Sequence, residues 1–356
     1  MNLRGNLGLL VSLAGLSLCA TLPAQTLLTL PEDSPRAVAA QRIGMTDVTI
    51  VYHRPFVKGR KVWDGLVPYG QVWRAGANEN TTIESTGPLL IEGRPLPKGV
   101  YGLHMIPGTD EWTVILSKQA GAWGSFSYDK KEDALRVTVK PETGEFHEAL
   151  AYDFDDLKFD SAVARLRWEK LAVPIRISAP KDAMIEDLRS QLRGGVQYNW
   201  IGWDEAAEFS LQTKTDFEQG LKWADTSIQN EERFENLMTK SRLLEALNRT
   251  TDASTAHDRA LEVGKPLQLY QYARRLMVQD KKPEDAFAVF RVIVKREPAS
   301  LAGHLAQGRL YSAAGNFDGA IKEIKAAQAL PGISEGQVKV LDPVVKRLEN
   351  HEDINK

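Results

Sequence analysis

Between Arg42 and about Ala179, apolar and polar residues alternate with a period of two, and turn-forming residues interrupt the alternation at short intervals. A strand sends successive side chains to opposite faces, so this period predicts strands with one buried and one wet face. The clearest are Val48-Thr49-Ile50-Val51-Tyr52, Leu89-Leu90-Ile91, Val100 to Ile106, Glu111 to Leu116, Leu135 to Val139 and Ala162 to Trp168. Glu92-Gly93-Arg94, Pro97-Lys98-Gly99 and Pro107-Gly108-Thr109-Asp110 read as turns between them. The expected fold is an all-β sandwich or flattened barrel. After Pro180 the strand signal stops and apolar residues recur at helical spacing to the end, which sets a boundary near Ala179-Pro180-Lys181.

The helical half repeats. Ala286, Phe290, Ile293 and Pro298 recur 34 residues on as Ala320, Ile324, Ala327 and, one place early, Pro331. Gly308, Tyr311, Gly315 and Phe317 precede the second set. Ala253, His257 and Ala260 fit a weaker copy upstream, and Gly220, Ala224 and Ser227 a weaker one still. Small residues let one helix approach its partner closely, and large ones fill the space beside them. At these offsets the segment resembles tetratricopeptide repeats, which implies an all-α array of stacked helix pairs with a concave surface suited to extended chains. Residues 181–210 are expected to form a connecting helical segment and 211–350 the repeats.

Composition narrows the function classes. Of 356 residues, 43% are apolar and 26% charged, which suits a folded chain with a sizeable core. Lys+Arg 45 against Asp+Glu 47 leaves a charge of −2, so no global field recruits nucleic acid or an anionic membrane. The single cysteine, Cys19, excludes a disulfide framework, a cysteine zinc site and a thiol dyad. Residues 1–25 carry Arg4, the apolar run Leu7 to Leu22 and then Pro23-Ala24-Gln25, the pattern of a secretory signal peptide. The run is short of the roughly 20 residues a spanning helix needs, so no integral membrane segment is expected in the mature chain. Leu18 precedes Cys19 where a lipoprotein signal has a small residue. Cleavage at Ala24 or Gln25 would remove the only cysteine, consistent with an oxidising periplasmic or extracellular setting.

The front half resembles the DUF2911 family, an uncharacterised bacterial domain. The residues that carry the resemblance are Gln41-Arg42-Ile43-Gly44, Tyr52, Arg54-Pro55, Lys58-Gly59-Arg60, Leu66 to Gly70, Val72 to Glu79 and Thr81. Further on come Pro97, Gly99, Tyr101, Ile106-Pro107-Gly108, Glu111 to Ile115, Trp123-Gly124, Tyr128 and Arg136-Val137. The match spans about residues 36–178. Asp64 departs from the pattern, which has glycine after Trp63. The resemblance implies a fold and a secreted setting but no activity, so no catalytic roles transfer with it.

The segment Trp73-Arg74-Ala75-Gly76-Ala77-Asn78-Glu79 combines small residues with a guanidinium fork, an amide and a carboxylate. Such a set suits a carboxylate or sugar ligand. The competing reading pairs Arg74 with Glu79 and spends Asn78 on backbone groups in a bent loop. Arg54, Arg74, Asn78, Glu79 and His104 are therefore the ligand-binding candidates. His53, His104 and His147 lack the spacing of a metal motif, and Gly93, Pro97, Gly99 and His104 echo a cupin motif only loosely, so no metal is expected. Asp153, Asp155 and Asp156 lack the glycine-bent loop of a calcium site and read as a solvated strand exit. Gly121 to Ser125 reads as a turn with a buried indole. Trp200 and Trp203 share a helical face that should dock on the β domain or the next helix. No nucleophile elbow, zinc-protease motif or phosphate loop is present, so catalytic residues are unknown and no cofactor is expected.

These observations favour an exported interaction protein that binds a protein or peptide through its helical repeats. The alternative is an envelope hydrolase with a carbohydrate-type substrate and a β-domain site around Arg74, Asn78 and Glu79.

Overall fold

The computed structural model describes residues 30–356, so the expected signal segment and Cys19 lie outside the described residues. Ten strands come first: β1 (Arg36–Ile43), β2 (Thr46–His53), β3 (Thr82–Ser85), β4 (Leu89–Ile91), β5 (Arg94–Leu96), β6 (Gly99–Ile106), β7 (Trp112–Ser117), β8 (Asp133–Val139), β9 (Glu142–Asp155) and β10 (Ser161–Ser178). They form an antiparallel six-stranded sheet in the order β1-β2-β3-β6-β7-β8 and a four-stranded sheet in the order β5-β4-β10-β9. Both sheets are open, so the sandwich form of the expectation holds and the barrel form does not.

The core lies between the sheets. Ile50, Ile83, Leu103, Met105 and Val114 of the larger sheet meet Leu89, Leu150, Leu166 and Val173 of the smaller one. Four indoles fill its centre. Trp63 meets Trp112 edge-on at 4.9 Å and Trp168 at 5.6 Å, and Trp73 stacks on Trp168 at 6.0 Å. Strand β10 runs well past the predicted Trp168, because Glu169 takes a left-handed φ of 54° between two register shifts and lets pairing resume beyond it. The three aspartates at the end of β9 are not simply solvated. Arg165 reaches Asp155 at 2.9 Å and Asp156 at 3.2 Å, and Arg167 reaches Asp153 at 2.8 Å. Asp64, the departure from the family pattern, has φ 56°, a conformation that glycine adopts without strain.

Ten helices follow: α1 (Lys181–Gln191), α2 (Trp200–Thr213), α3 (Phe217–Asn230), α4 (Phe234–Ala246), α5 (Thr250–Val263), α6 (Pro266–Val278), α7 (Pro283–Arg296), α8 (Leu301–Ala313), α9 (Phe317–Gln328) and α10 (Glu335–Glu349). From α2 to α9 they form four successive pairs, the first helices starting at 200, 234, 266 and 301. The small residues at Gly220, Ala253, Ala286 and Ala320 are buried, one on the second helix of each pair. A Cβ on Gly220 would sit 2.8 Å from Ser210 Cβ on the partner helix, and one on Gly308 3.0 Å from Ile324 Cδ1. Between α4 and α5, Ser241 Oγ donates to the Ala253 carbonyl at 2.8 Å. Close approach is thus the physical content of the repeat.

Trp200 and Trp203 stay within the helical half. The Trp203 indole donates to the Gln197 carbonyl at 2.9 Å, and Arg233 lies over Trp200. The junction with the sandwich is made by Met184 of α1, which belongs to the β core, with Phe209 of α2 packed against it. Gly44 makes room: an added Cβ would meet Met184 Sδ at 2.9 Å.

Two stability outcomes are expected. Ala320→Leu should destabilise the array by ~1–3 kcal/mol through overpacking, well beyond Ala326→Leu at a half-buried position, as read by urea unfolding at the helical CD signal. Met184→Ala, although it lies in a helix, should cost ~2–5 kcal/mol and lower the midpoint of the indole near-UV signal.

Candidate functional site

The segment from Trp73 to Thr81 crosses the end of the larger sheet and is held by the backbone. Trp73 and Met105 exchange both backbone hydrogen bonds at 2.8 Å. Ala75 and Asn78 then take left-handed φ values of 51° and 53°. The Ala75 carbonyl accepts from Tyr152 Oη at 3.0 Å and from Thr81 Oγ1 at 3.1 Å. Burial pushes the Tyr152 hydroxyl well above its usual range, with Tyr52 adding to the effect, so it remains a donor. Gly76 cannot carry a side chain here: a Cβ would lie 2.6 Å from Thr81 Oγ1.

This segment and the loop after β7 cover polar residues on the outer face of the larger sheet. Because Tyr101, Leu103 and Met105 of β6 face the core, Gly102 and His104 face outward. His104 pairs with Ile115, and Ile115 with Arg136 of β8, which makes a row across the sheet. The face would be wet in an uncovered sandwich, yet His104 is only 2% exposed. Ser125 Oγ lies 3.0 Å from His104 Nδ1, and the Tyr128 ring lies 5.4 Å from the imidazole. Tyr128 Oη donates to the Asp133 carboxylate at 2.9 Å, and Arg136 reaches both. A Cβ on Gly102 would meet the Gln119 carbonyl at 2.7 Å, His104 Nε2 at 3.2 Å and Asn80 Nδ2 at 3.5 Å. Asn80 is 6% exposed, and among the described residues neither end of its amide has a hydrogen-bond partner. Burial holds the His104 pKa down at about 4 against the opposing pull of Asp133, so the imidazole is neutral at pH 7.

A second group lies at the end of β2. His53 Nε2 is 3.2 Å from Glu32 Oε2 and 3.3 Å from Glu79 Oε2, and Asn78 Nδ2 donates to Glu32 Oε2 at 3.0 Å. The five sequence candidates therefore part company. Asn78 and Glu79 join Glu32 and His53, while His104 joins Ser125 and Asn80. Arg74 does not pair with Glu79 among the described residues; its guanidinium lies over the Trp123 ring at 5.7 Å, with a buried, unpartnered Nε. Arg54 joins neither group and donates from Nε to the Leu150 carbonyl at 2.8 Å, tying β2 to β9. The turn at Gly121 to Ser125 does not bury its indole: Trp123 is 59% exposed and stacks on Phe126, 83% exposed. Sequence reasoning passed over Glu32, Asn80, Ser125 and Asp133, and set His53 aside for want of a nearby second ligand. Residues that meet only across a sheet leave no spacing to find.

Residues 34–177 match the family described as a protein of unknown function (DUF2911). The outer-face row and the segment from Trp73 to Thr81 lie inside the DUF2911 match, whereas Glu32 lies before it. No curated protein matches the chain.

The depressed pKa of His104 gives the sandwich a pH dependence. The unfolded chain takes up this proton near pH 6.5 and the folded one near pH 4, so stability is full above about pH 6.5 and falls as pH drops towards 4. His104→Phe should remove ~3 kcal/mol of that loss, measured as the difference in urea stability between pH 7 and pH 4 for the two proteins. Equal differences would assign the titration elsewhere.

Proposed function

We propose that the protein is an exported two-module binding protein whose helical array, of the tetratricopeptide type, receives a peptide segment bearing a carboxylate. The export rests on residues 1–25, and the repeat type on the spacing of the helix pairs and their buried small residues. One observation carries the ligand class. A groove of about 490 Å³ runs across α4 to α7, and Arg242 and Arg275 both line it. Burial holds the Arg242 pKa down, and the charge of Arg275 adds to the effect. Arg242 already reaches Glu208, Arg275 lies 3.8 Å from Asp280, and Lys282 adds a third cation to the lining, so a ligand carboxylate entering between the two guanidiniums would gain charge-assisted hydrogen bonds in competition with these partners. Tyr272 supplies a flat wall beneath Arg275 at 5.4 Å, with His257 Nε2 3.4 Å from its hydroxyl. The acidic neighbours Glu245, Asp280 and Asp285 line the same groove, which selects against a long run of acidic residues and favours a single anionic anchor.

The hydrolase alternative is not favoured, because Arg74 turns to Trp123 while Asn78 and Glu79 join Glu32 and His53, so the three do not face one cleft together.

The test is fluorescence anisotropy with a short labelled peptide library presented both as free C-terminal acids and as amides. The free acids should bind more tightly, and Arg242→Ala with Arg275→Ala should weaken them by at least about tenfold while flattening the salt dependence. Equal binding of acids and amides, or an unaffected double variant, would overturn the reading.

A further inference from the structure

We propose that Glu32, His53 and Glu79 form a binding site for a first-row divalent transition metal, with zinc as the probe cation. The site is independent of the peptide groove. Its three ligands come from three parts of the chain: the segment before β1, the last residue of β2 and the segment from Trp73 to Thr81. Their donor atoms lie within 4.8 Å of one another. Two ligand atoms each ~2.0–2.1 Å from a zinc ion stand ~3.0 Å apart at a right angle and ~3.4 Å apart at a tetrahedral angle. The separations from His53 Nε2 to the two carboxylates, 3.2 and 3.3 Å, fall in that interval.

The donor set points to the metal class. One imidazole with two carboxylates suits zinc, manganese or ferrous iron, whereas calcium asks for six or more oxygens. The charge requirement is also specific. Among the described residues neither carboxylate has a Lys or Arg within ion-pair distance, and Arg36, the β1 residue paired with His53, reaches neither. The His53 side chain is only 7% exposed, and among the described residues its buried Nδ1 has no partner. A metal ion would bond to all three groups at once.

The position of Nδ1 also sets the affinity. A metal-bound imidazole carries its proton on Nδ1, and among the described residues no acceptor receives it. The outer-shell partner that contributes ~10–100-fold to metal affinity is missing, so binding should be micromolar rather than nanomolar. Asn78 supplies the one supporting contact, to Glu32 Oε2 at 3.0 Å. Because Glu32 precedes β1, an ion here would tie the segment before the sandwich to the sheet.

The test is calorimetric titration of zinc into untagged, chelator-stripped protein, with calcium as a comparison. One zinc per chain should bind with a micromolar Kd, and calcium at least about tenfold more weakly. Glu32→Gln and Glu79→Gln keep shape and lose charge; each should weaken zinc at least about tenfold while the metal-free protein melts no lower than the wild type. Zinc should raise the wild-type melting temperature, and chelator should reverse the rise. Protection of the backbone around Glu32 in hydrogen exchange should increase on adding zinc. The proposal fails if folded wild type shows no stoichiometric zinc binding, if the two Gln variants bind as well as the wild type, or if protection changes elsewhere but not at Glu32.

Discussion

The Ala75 carbonyl is the point from which the β domain's site is hung. It accepts two hydrogen bonds, from Tyr152 on the smaller sheet and from Thr81 at the entry to β3. The first fixes the segment across the gap between the sheets, and the second closes it on itself. Without them a run with two left-handed residues would relax, because such conformations persist only where the surroundings over-determine them. Trp73 at one end enters the indole cluster, and at the other end Asn78, Glu79 and Asn80 are delivered to the outer face of the sheet. The packing of the core and the placement of the polar groups are thus one constraint, expressed on two sides of the same sheet.

That outer face departs from the ordinary division of a sandwich into wet and dry surfaces. Among the described residues His53 Nδ1, Arg74 Nε and both ends of Asn80 are buried without partners, each costing ~1–3 kcal/mol. Unpartnered groups in the dry core can be charged to packing: the indole nitrogens of Trp63 and Trp168 are of this kind, enclosed among other rings. The outer-face groups cannot, because they cluster under one covering loop and one segment on a face that an uncovered sandwich leaves wet. Local rules broken together in one place mark where a sequence has been shaped by something other than stability.

The sequence made the architecture legible because each half keeps to a single period, broken in the first half by turns and loops but never by a helical stretch of useful length. Alternation from Val48 to Trp168 needs only one buried face to be readable, and the open edges of the sheets could not be read because pairing order leaves no mark on periodicity. The far half of β10 was hidden by Glu169 and Lys170, two charged residues in succession where a bulge shifts the register. Gly220, part of the weakest repeat copy in the sequence, is explained by the Ser210 and Leu243 side chains that it faces. The site was half legible. Arg74, Asn78 and Glu79 stood out as an unusual trio, but the expectation that Arg74 and Glu79 would pair ignored that neighbouring residues in a kinked segment point in different directions. His53 and Glu32 were out of reach because their meeting depends on the strand register and on a segment with no periodic signal.

The two modules are joined more closely than a change of period suggests. A stack of helix pairs exposes an apolar face at each end and needs something to cover it. At the front, Ile185 and Leu192 cover α2 through Ala206 and Ala207, while Met184, one residue from Ile185, enters the sandwich core. A single helix therefore seals the array on one side and completes the β domain on the other. At the far end the chain folds back after α10: Arg309 donates to Tyr270 Oη at 2.8 Å and to the Ile354 carbonyl at 2.9 Å, and Ser312 Oγ donates to Asp353 at 3.0 Å. Both closures draw on residues outside the repeat, so the packed core continues past the repeated positions at each end. The β domain is accordingly the front cap of the array, and a strain introduced at the junction of α1 reaches both cores at once.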